Sequence, residues 1–186
     1  MRRREPGIRL GPGVRVGIIG VGNMGLAMAG RLIEQGWQVT VRDIEPARER
    51  LAEGLGARVC ASPAAVAAVA DRVIICVVDA RQADSVLFDP HEGVVSQDNK
   101  PCILLCPTIA PDQTESFAHR LAAAGLPCID APMSGGPLRA RAGRMSLMVA
   151  CDDALFERHS ALLRALANPV FRVGARAGDG ARTKLV

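Results

Sequence analysis

The sequence has no tyrosine, and only two of its 23 basic residues are lysines, Lys100 and Lys184. The lack of tyrosine excludes acid/base mechanisms that depend on a Tyr–Lys pair. The shortage of lysine matters because arginine keeps its proton near neutral pH, whereas a lysine can release its proton when burial or nearby cations lower its pKa. Each lysine in so arginine-rich a sequence is therefore a residue to consider for proton transfer.

Cysteine pairs with the spacing of metal sites are also absent. None of the six cysteines belongs to a C-x-x-C pair. Most of them lie in or beside β-like apolar runs, and Cys102 and Cys106 share one face of a predicted strand. We expect reduced, buried thiols in a cytoplasmic protein, with no metal site.

Long apolar runs and a strongly charged body are missing as well. The apolar run from Val14 is broken by Arg15 and by four glycines up to Gly25, so neither a signal peptide nor a membrane span is predicted. The formal net charge of +4 comes mainly from residues 1–13, which hold four arginines and one glutamate. These residues are predicted to form a basic, flexible N-terminal extension. The nearly neutral remainder argues against a nucleic-acid or membrane partner.

The sequence does contain a regular alternation of strand-like and helix-like patterns. Strands are predicted at residues 14–19, 37–41, 57–60, 73–77, 102–106, 128–130, 145–150 and 170–173, with helices at 24–35, 46–53, 62–70, 82–88, 111–124 and 152–166. Such alternation indicates an α/β fold with a doubly wound, mainly parallel sheet and helices on both faces. We expect one domain over residues 14–176, followed at 177–186 by the start of an interdomain helix that is cut short.

A glycine-rich turn stands between the first predicted strand and the first predicted helix. It has the sequence Gly20-Val21-Gly22-Asn23-Met24-Gly25, which is a G-x-G-x-x-G pattern in the context that dinucleotide binding requires. Gly20 permits the tight turn, Gly22 lets the backbone approach a pyrophosphate, and Gly25 lets the helix pack against the strand. The free N–H groups at the helix N-terminus are suited to phosphates.

An acidic residue follows at the expected distance. Asp43 lies 18 residues after Gly25, at the end of the second predicted strand, and is expected to accept hydrogen bonds from the adenosine ribose. A carboxylate there disfavours a 2′-phosphate and so favours NAD over NADP. Arg42 leaves this open, since it is either a solvated strand end or a partner for that phosphate. Asp43 could also be only a helix cap before Pro46.

Few residues remain for proton transfer. His91 lies in a polar loop, and His119 and His159 lie in predicted amphipathic helices, so all three are expected at the surface. Lys184 follows a glycine-led stretch that begins at Gly178 and enters the last predicted helix. On the residues alone, Lys184 is either a catalytic acid/base or an ordinary surface lysine.

Four motifs in order resemble the β-hydroxyacid dehydrogenases, such as 3-hydroxyisobutyrate dehydrogenase and tartronate semialdehyde reductase, and more distantly 6-phosphogluconate dehydrogenase. The matching stretches are residues 17–29, Thr108-Ile109-Ala110-Pro111, Asp130-Ala131-Pro132-Met133-Ser134-Gly135-Gly136, and residues 178–184. The resemblance implies a Rossmann-type domain in which residues 20–25, Asp43, Val77, Val78 and Thr108 hold NAD. It further implies that Ser134, Gly135 and Gly136 bind the carboxylate of a small hydroxy acid, with Lys184 as the acid/base.

The sequence departs from this family in three ways. Pro107 stands where the family usually has serine, and Arg42 precedes the ribose acid. The chain also ends before the family's downstream Asn pair and before its helical second domain, through which a homodimer or tetramer is expected to form. The leading hypothesis is a dehydrogenase of low activity in this 186-residue form. The alternatives are a non-catalytic nucleotide-binding or scaffold module and, less favoured, an imine reductase of the same fold.

Overall fold

The computed structural model of the protein describes residues 14–186, so the predicted extension at residues 1–13 lies outside the described residues. Strands are β1 Arg15–Ile19, β2 Gln38–Arg42, β3 Arg58–Val59, β4 Arg72–Ile75, β5 Cys102–Leu105, β6 Cys128–Asp130, β7 Met133–Ser134, β8 Met145–Ala150 and β9 Ala167–Gly174. Helices are α1 Asn23–Glu34, α2 Pro46–Gly54, α3 Pro63–Val69, α4 Ala80–Phe88, α5 Pro111–Ala123, α6 Gly136–Arg141, α7 Asp153–Leu166 and α8 Asp179–Leu185, with a short 3₁₀ turn at Val94–Ser96. The predicted elements are all present, and most of them differ from the prediction by a few residues at their ends.

The strands form one sheet in the order β3-β2-β1-β4-β5-β6-β8-β7, and β9 pairs with β8. From β3 to β6 every pairing is parallel. Alternate residues of the central strands face opposite sides: Ile74 and Leu104 pack with α1 and α7, whereas Val73 and Ile103 pack with α3 and α5. A parallel sheet buried on both faces explains why these strands are almost continuously apolar.

Beyond β6 the strands of the sheet are no longer all parallel, which the alternation of strands and helices did not predict. β8 runs antiparallel to β6 and β7, and β9 runs in the same direction as β8. The reason lies in the connection, because β7 and the six-residue α6 occupy what was expected to be a loop. A helix of that length rises only about 9 Å, too little to return the chain to the amino end of the sheet for a parallel pairing.

One histidine is not where it was expected. His159 was predicted at the surface, but it is buried on α7, and its Nδ1 accepts a hydrogen bond of 2.8 Å from Nε of Arg72. α7 turns this residue inward with Leu162 and Leu163, so the helix presents a mixed polar and apolar face to the sheet. His91 and His119 are exposed, as expected.

All six cysteines are free. Four of them are buried, Cys76 and Cys128 are partly buried, and burial raises the pKa of Cys76 and of Cys102 to about 12. No group of metal-binding side chains occurs within residues 14–186. In the same part of the chain, no helix combines the length and the apolar character that crossing a membrane would require.

Candidate functional site

The carboxyl ends of the parallel strands form one edge of the sheet, and most of the predicted cofactor residues meet there. β1 lies between β2 and β4, while α1 and α4, which follow β1 and β4, pack on opposite faces of the sheet. The two connections therefore diverge above β1 and leave a crevice between them. Ligands of doubly wound sheets bind in such a crevice at the point where strand order reverses.

The three glycines of the turn that follows β1 differ in what their backbone requires. Gly20 has φ +92°, and a Cβ on it would lie 2.4 Å from the carbonyl oxygen of Cys76. A Cβ on Gly25 would lie 1.9 Å from the carbonyl oxygen of Gly20, so α1 packs against the turn only without a side chain there. A Cβ on Gly22 would meet nothing within 4 Å. Gly20 and Gly25 are therefore required by the fold, whereas the room beside Gly22 is free for a ligand.

The N-terminus of α1 is suited to bind an anion. Its N-cap residue is Gly22, no side chain caps it, and its first turn carries no acidic residue. The first backbone N–H groups of α1 and the positive end of its dipole therefore lie at the crevice without a capping side chain of the helix. Together with the open space beside Gly22, this fits the pyrophosphate of a dinucleotide.

Asp43, which follows β2, faces this turn. Its Oδ2 accepts a hydrogen bond of 2.6 Å from the backbone N of Val21, and its Oδ1 accepts one of 2.9 Å from the backbone N of Glu45. The N-cap of α2 is Glu45, so the alternative that Asp43 caps that helix is wrong. Each carboxylate oxygen has a second lone pair that can still accept from a hydroxyl.

Arg42 does not end its strand as a free, solvated side chain. Its guanidinium donates to Oε1 of Glu49 at 2.8 Å, and the same oxygen accepts from the backbone N of Asp43 at 3.1 Å. The expectation of a solvated strand end is therefore wrong. Glu49 lies on α2 and neutralises the guanidinium of Arg42, which stands next to Asp43.

Two exposed apolar side chains lie at the same edge of the sheet as the crevice. Val78 follows β4 and is 79% exposed, and Ile44 follows β2 and is 81% exposed. Val77 is partly buried and packs into the core beside α3 and α4. Exposed aliphatic side chains on both sides of a crevice provide apolar surface for a flat ring. Ile44 was missed in the sequence, although its position among charged residues was a signal.

The remaining predicted cofactor residues differ in exposure, and Val21 is buried in the core. Thr108 is exposed in the loop after β5, and Asn23 is exposed at the start of α1, where its Oδ1 accepts a hydrogen bond of 3.3 Å from Arg48. Met24, the next residue of α1, is partly buried against the core. These positions place polar groups along the same edge of the sheet as the glycine-rich turn.

The predicted substrate turn is partly regular structure rather than a loop. Ser134 is exposed in β7, and Gly136 is the first residue of α6. Gly135 and Gly136 have φ values of +125° and +73°, which side chains rarely adopt. The backbone of this segment therefore depends on both glycines.

Lys184 lies on α8 and is partly exposed. Beneath the N-terminus of α8 is Asp130, which is 1% exposed. Its Oδ2 accepts hydrogen bonds from the backbone N of Gly178, Gly180 and Ala181 at 2.8, 2.9 and 3.2 Å. Burial raises the pKa of Asp130, and these three N–H groups act in the opposite direction. The sequence had shown Asp130 only as part of a motif, because its partners lie about 50 residues further along the chain.

Comparison with known proteins decides the family. The protein-family model for the NAD binding domain of 6-phosphogluconate dehydrogenase matches residues 15–174. The chain belongs to this family. The predicted resemblance, the Rossmann-type fold and NAD as the family's cofactor are thereby confirmed.

Individual relatives agree with this assignment. The chain is 34% identical over 172 residues to L-threonate dehydrogenase of Cupriavidus necator, and it has the same identity to 2-hydroxy-3-oxopropionate reductase of Escherichia coli. Each match covers 92% of this chain and 58% of the relative. A crystal structure of 3-hydroxyisobutyrate dehydrogenase from Salmonella typhimurium superposes with a TM-score of 0.85 at 32% identity, covering 92% of this chain and 60% of that one. This NAD-binding domain therefore spans less than two thirds of the length of these relatives.

Proposed function

We propose that the chain is the cofactor-binding part of a dehydrogenase that reversibly oxidises a small β-hydroxy acid to its semialdehyde or keto acid, with NAD as the cofactor. One observation carries the proposal. The buried carboxylate of Asp130 fastens the helix of Lys184 to the end of β6, only four residues before Ser134. A candidate acid/base and a candidate carboxylate-binding segment are thus joined at the edge of the sheet that also holds the glycine-rich turn.

The cofactor residues divide by the part of NAD that each would hold. The N-terminus of α1 would take the pyrophosphate beside Gly22, and Asp43 would accept hydrogen bonds from the adenosine ribose. Ile44 and Val78 would cover the two faces of the adenine. Thr108 would lie on the nicotinamide ribose side, since it follows β5, on the side of β4 away from Asp43.

The substrate residues have separate tasks. The hydroxyl of Ser134 and the backbone N–H groups of Gly135 and Gly136 would bind the carboxylate of the hydroxy acid. When bound, NAD supplies the nicotinamide carbon that accepts the hydride from the substrate. The amine of Lys184 would take the hydroxyl proton during oxidation and return it during reduction, so that one residue serves both directions.

The histidines are poor alternatives to Lys184. His159 is buried against Arg72, the first residue of β4, which lies at the amino end of the sheet and away from the crevice. His91 lies in the turn after α4 and His119 in the middle of α5, both exposed. Lys100 is exposed just before β5, also at the amino end of the sheet. Lys184 is therefore the best-placed proton carrier within residues 14–186.

The test combines binding and turnover. Calorimetric titration of the chain should show binding of NAD⁺, and the full-length protein should reduce NAD⁺ with at least one acid from a panel containing L-threonate and 3-hydroxyisobutyrate. Binding of NAD⁺ without turnover of any hydroxy acid would contradict the enzyme and favour a nucleotide-binding scaffold. We further expect the full-length protein to be a cytoplasmic homodimer or tetramer, which light scattering and fractionation of cells would check.

A further inference from the structure

We propose that Asp130 is a positioning residue that fixes Lys184 relative to the carboxylate-binding segment at Ser134. The inference rests on the proposed acid/base role of Lys184 and goes beyond it, since Asp130 itself touches neither substrate nor cofactor. Its carboxylate would act entirely through the helix that it holds.

The contact between Asp130 and the N-terminus of α8 is made by a single carboxylate oxygen. A single oxygen, Oδ2, accepts three backbone hydrogen bonds, from Gly178, Gly180 and Ala181. The first turn of a helix presents several N–H groups without intrahelical partners, and a buried carboxylate satisfies them while its charge is stabilised by the helix dipole. The direction in which α8 leaves the sheet is therefore set by the end of β6.

Gly180 shows how close this contact is. A Cβ on Gly180 would lie 2.7 Å from the carbonyl oxygen of Met148 and 2.9 Å from Cγ of Asp130. No side chain fits between the helix, β8 and the carboxylate. Lys184 follows Gly180 by four residues, about one turn, so its side chain projects from the same side of α8.

The other polar attachments of α8 are at the surface. Arg182 pairs with Glu115 of α5 and with Asp179 of its own helix at 3.0 Å, and the side chains of Arg182 and Glu115 are about half exposed to water. Exposed ion pairs typically contribute about 0–1 kcal/mol. The buried contact with Asp130 is accordingly the attachment that can hold Lys184 in one place.

The segment that bears Asp130 is itself rigid. The backbone N of Ala131 donates to the carbonyl oxygen of Leu105 at 2.9 Å, and the carbonyl oxygen of Pro132 accepts from the backbone N of Met148 at 3.0 Å. Two residues later the same segment presents Ser134. The distance between the substrate's carboxylate and the amine of Lys184 would thus be fixed by one short, well-anchored stretch.

The variants follow from this geometry. Asp130→Ala removes the acceptor and leaves three N–H groups without it, whereas Asp130→Asn keeps one acceptor oxygen and should rescue much of the loss. Gly180→Ala disturbs the same contact by a change in α8 rather than in β6. It is the variant to test if Asp130→Ala does not fold. Asp152→Ala is the matched control, because Asp152 accepts a backbone hydrogen bond of 2.8 Å at the N-terminus of α7, which carries no candidate catalytic residue.

The first readout uses the two lysines. After reductive ¹³C-methylation, Lys184 should shift in the NMR spectrum when NAD⁺ is added to the chain, while Lys100 serves as an internal reference. In folded Asp130→Ala or Gly180→Ala, which still bind NAD⁺, the shift of Lys184 should be lost, and amides of residues 178–181 should exchange about tenfold faster. In Asp130→Asn and Asp152→Ala the shift should persist. An unchanged response of Lys184 in Asp130→Ala, despite faster amide exchange, would overturn the proposal.

The second readout is turnover in the full-length protein. A displaced Lys184 should lower kcat on the order of 10²-fold in Asp130→Ala, with little change in the KM for NAD⁺. If Lys184→Ala is inactive while Asp130→Ala keeps its kcat, the positioning role fails and the proposed function stands. If Lys184→Ala keeps its kcat, the proposed function fails as well.

Discussion

The backbone N–H of Val21 donates a hydrogen bond of 2.6 Å to Oδ2 of Asp43, which ties the glycine-rich turn to the end of the neighbouring strand. The carboxylate proposed for the ribose is therefore oriented by the chain itself. Its other oxygen is held by the backbone N of Glu45. Such preorganisation reduces the ordering cost that binding would otherwise carry.

The first prediction concerns the choice between NAD⁺ and NADP⁺. NAD⁺ should bind the chain more tightly, because Asp43 opposes a 2′-phosphate and Glu49 holds the nearby guanidinium of Arg42. Glu49→Gln should release Arg42 and improve the binding of NADP⁺ relative to NAD⁺ about fivefold, which corresponds to about 1 kcal/mol. Calorimetry with both cofactors measures the ratio, and Glu53→Gln, an exposed change on the same helix, is the control. Tighter binding of NADP⁺ by the unaltered chain would contradict the prediction.

The second prediction separates the glycines of the turn. Gly22→Val should abolish detectable binding of NAD⁺ and leave the fold intact, because a Cβ there would meet no protein atom within 4 Å and the side chain would fill the space assigned to the pyrophosphate. Gly54→Val is the matched control, since a Cβ on Gly54 also meets nothing within 4 Å. Circular dichroism checks the fold and calorimetry the binding. Normal affinity in folded Gly22→Val would show that the turn is purely structural.

Much of the fold follows from local patterns in the sequence. The spacing of apolar residues identified each strand and helix from β1 to β6. The glycine-rich turn indicated where a cofactor would bind, at the carboxyl end of β1. Gly25 shows why this works, because the residue type is dictated by an atom only five residues away, the carbonyl oxygen of Gly20.

What the sequence did not predict depends on partners far along the chain. Periodicity does not specify which strand pairs with β8, so its antiparallel direction was missed. The burial of His159 depends on Arg72, 87 residues earlier. The buried contact of Asp130 depends on backbone N–H groups, which every residue type except proline carries, so no side chain in the sequence predicted it.

The third prediction concerns acid stability. Burial first, and then the nearby cations Arg72 and Arg158, lower the pKa of His159 from 6.5 to about 4. Between these values the unfolded chain binds more protons than the folded one, so this contribution to stability is complete above pH 6.5 and is lost as the pH falls towards about 4. The loss should amount to roughly 2–3 kcal/mol of unfolding free energy.

Urea unfolding at a series of pH values measures this contribution. His159→Gln should flatten the dependence between pH 6.5 and about 4, because glutamine has no proton to gain there and its oxygen can still accept from Arg72. His119→Gln, at an exposed position, should leave the dependence unchanged. Equal slopes in the unaltered chain and in His159→Gln would show that another group is responsible.

The last prediction concerns Lys184 in the full-length protein. Lys184→Ala should lower turnover by roughly 10²–10⁴-fold, as expected for a lost general acid/base, with the affinity for NAD⁺ little changed. Lys184→Arg should restore little, because a guanidinium does not release its proton near neutral pH. Lys100→Ala is the control, since Lys100 is exposed and its Nζ donates only to the carbonyl oxygen of Gln97 at 2.8 Å. Steady-state kinetics with the best hydroxy acid of the panel measure these effects. Near-normal turnover in Lys184→Ala would leave residues 14–186 without a placed proton carrier, because the chain has no tyrosine and His159 is buried at the opposite end of the sheet.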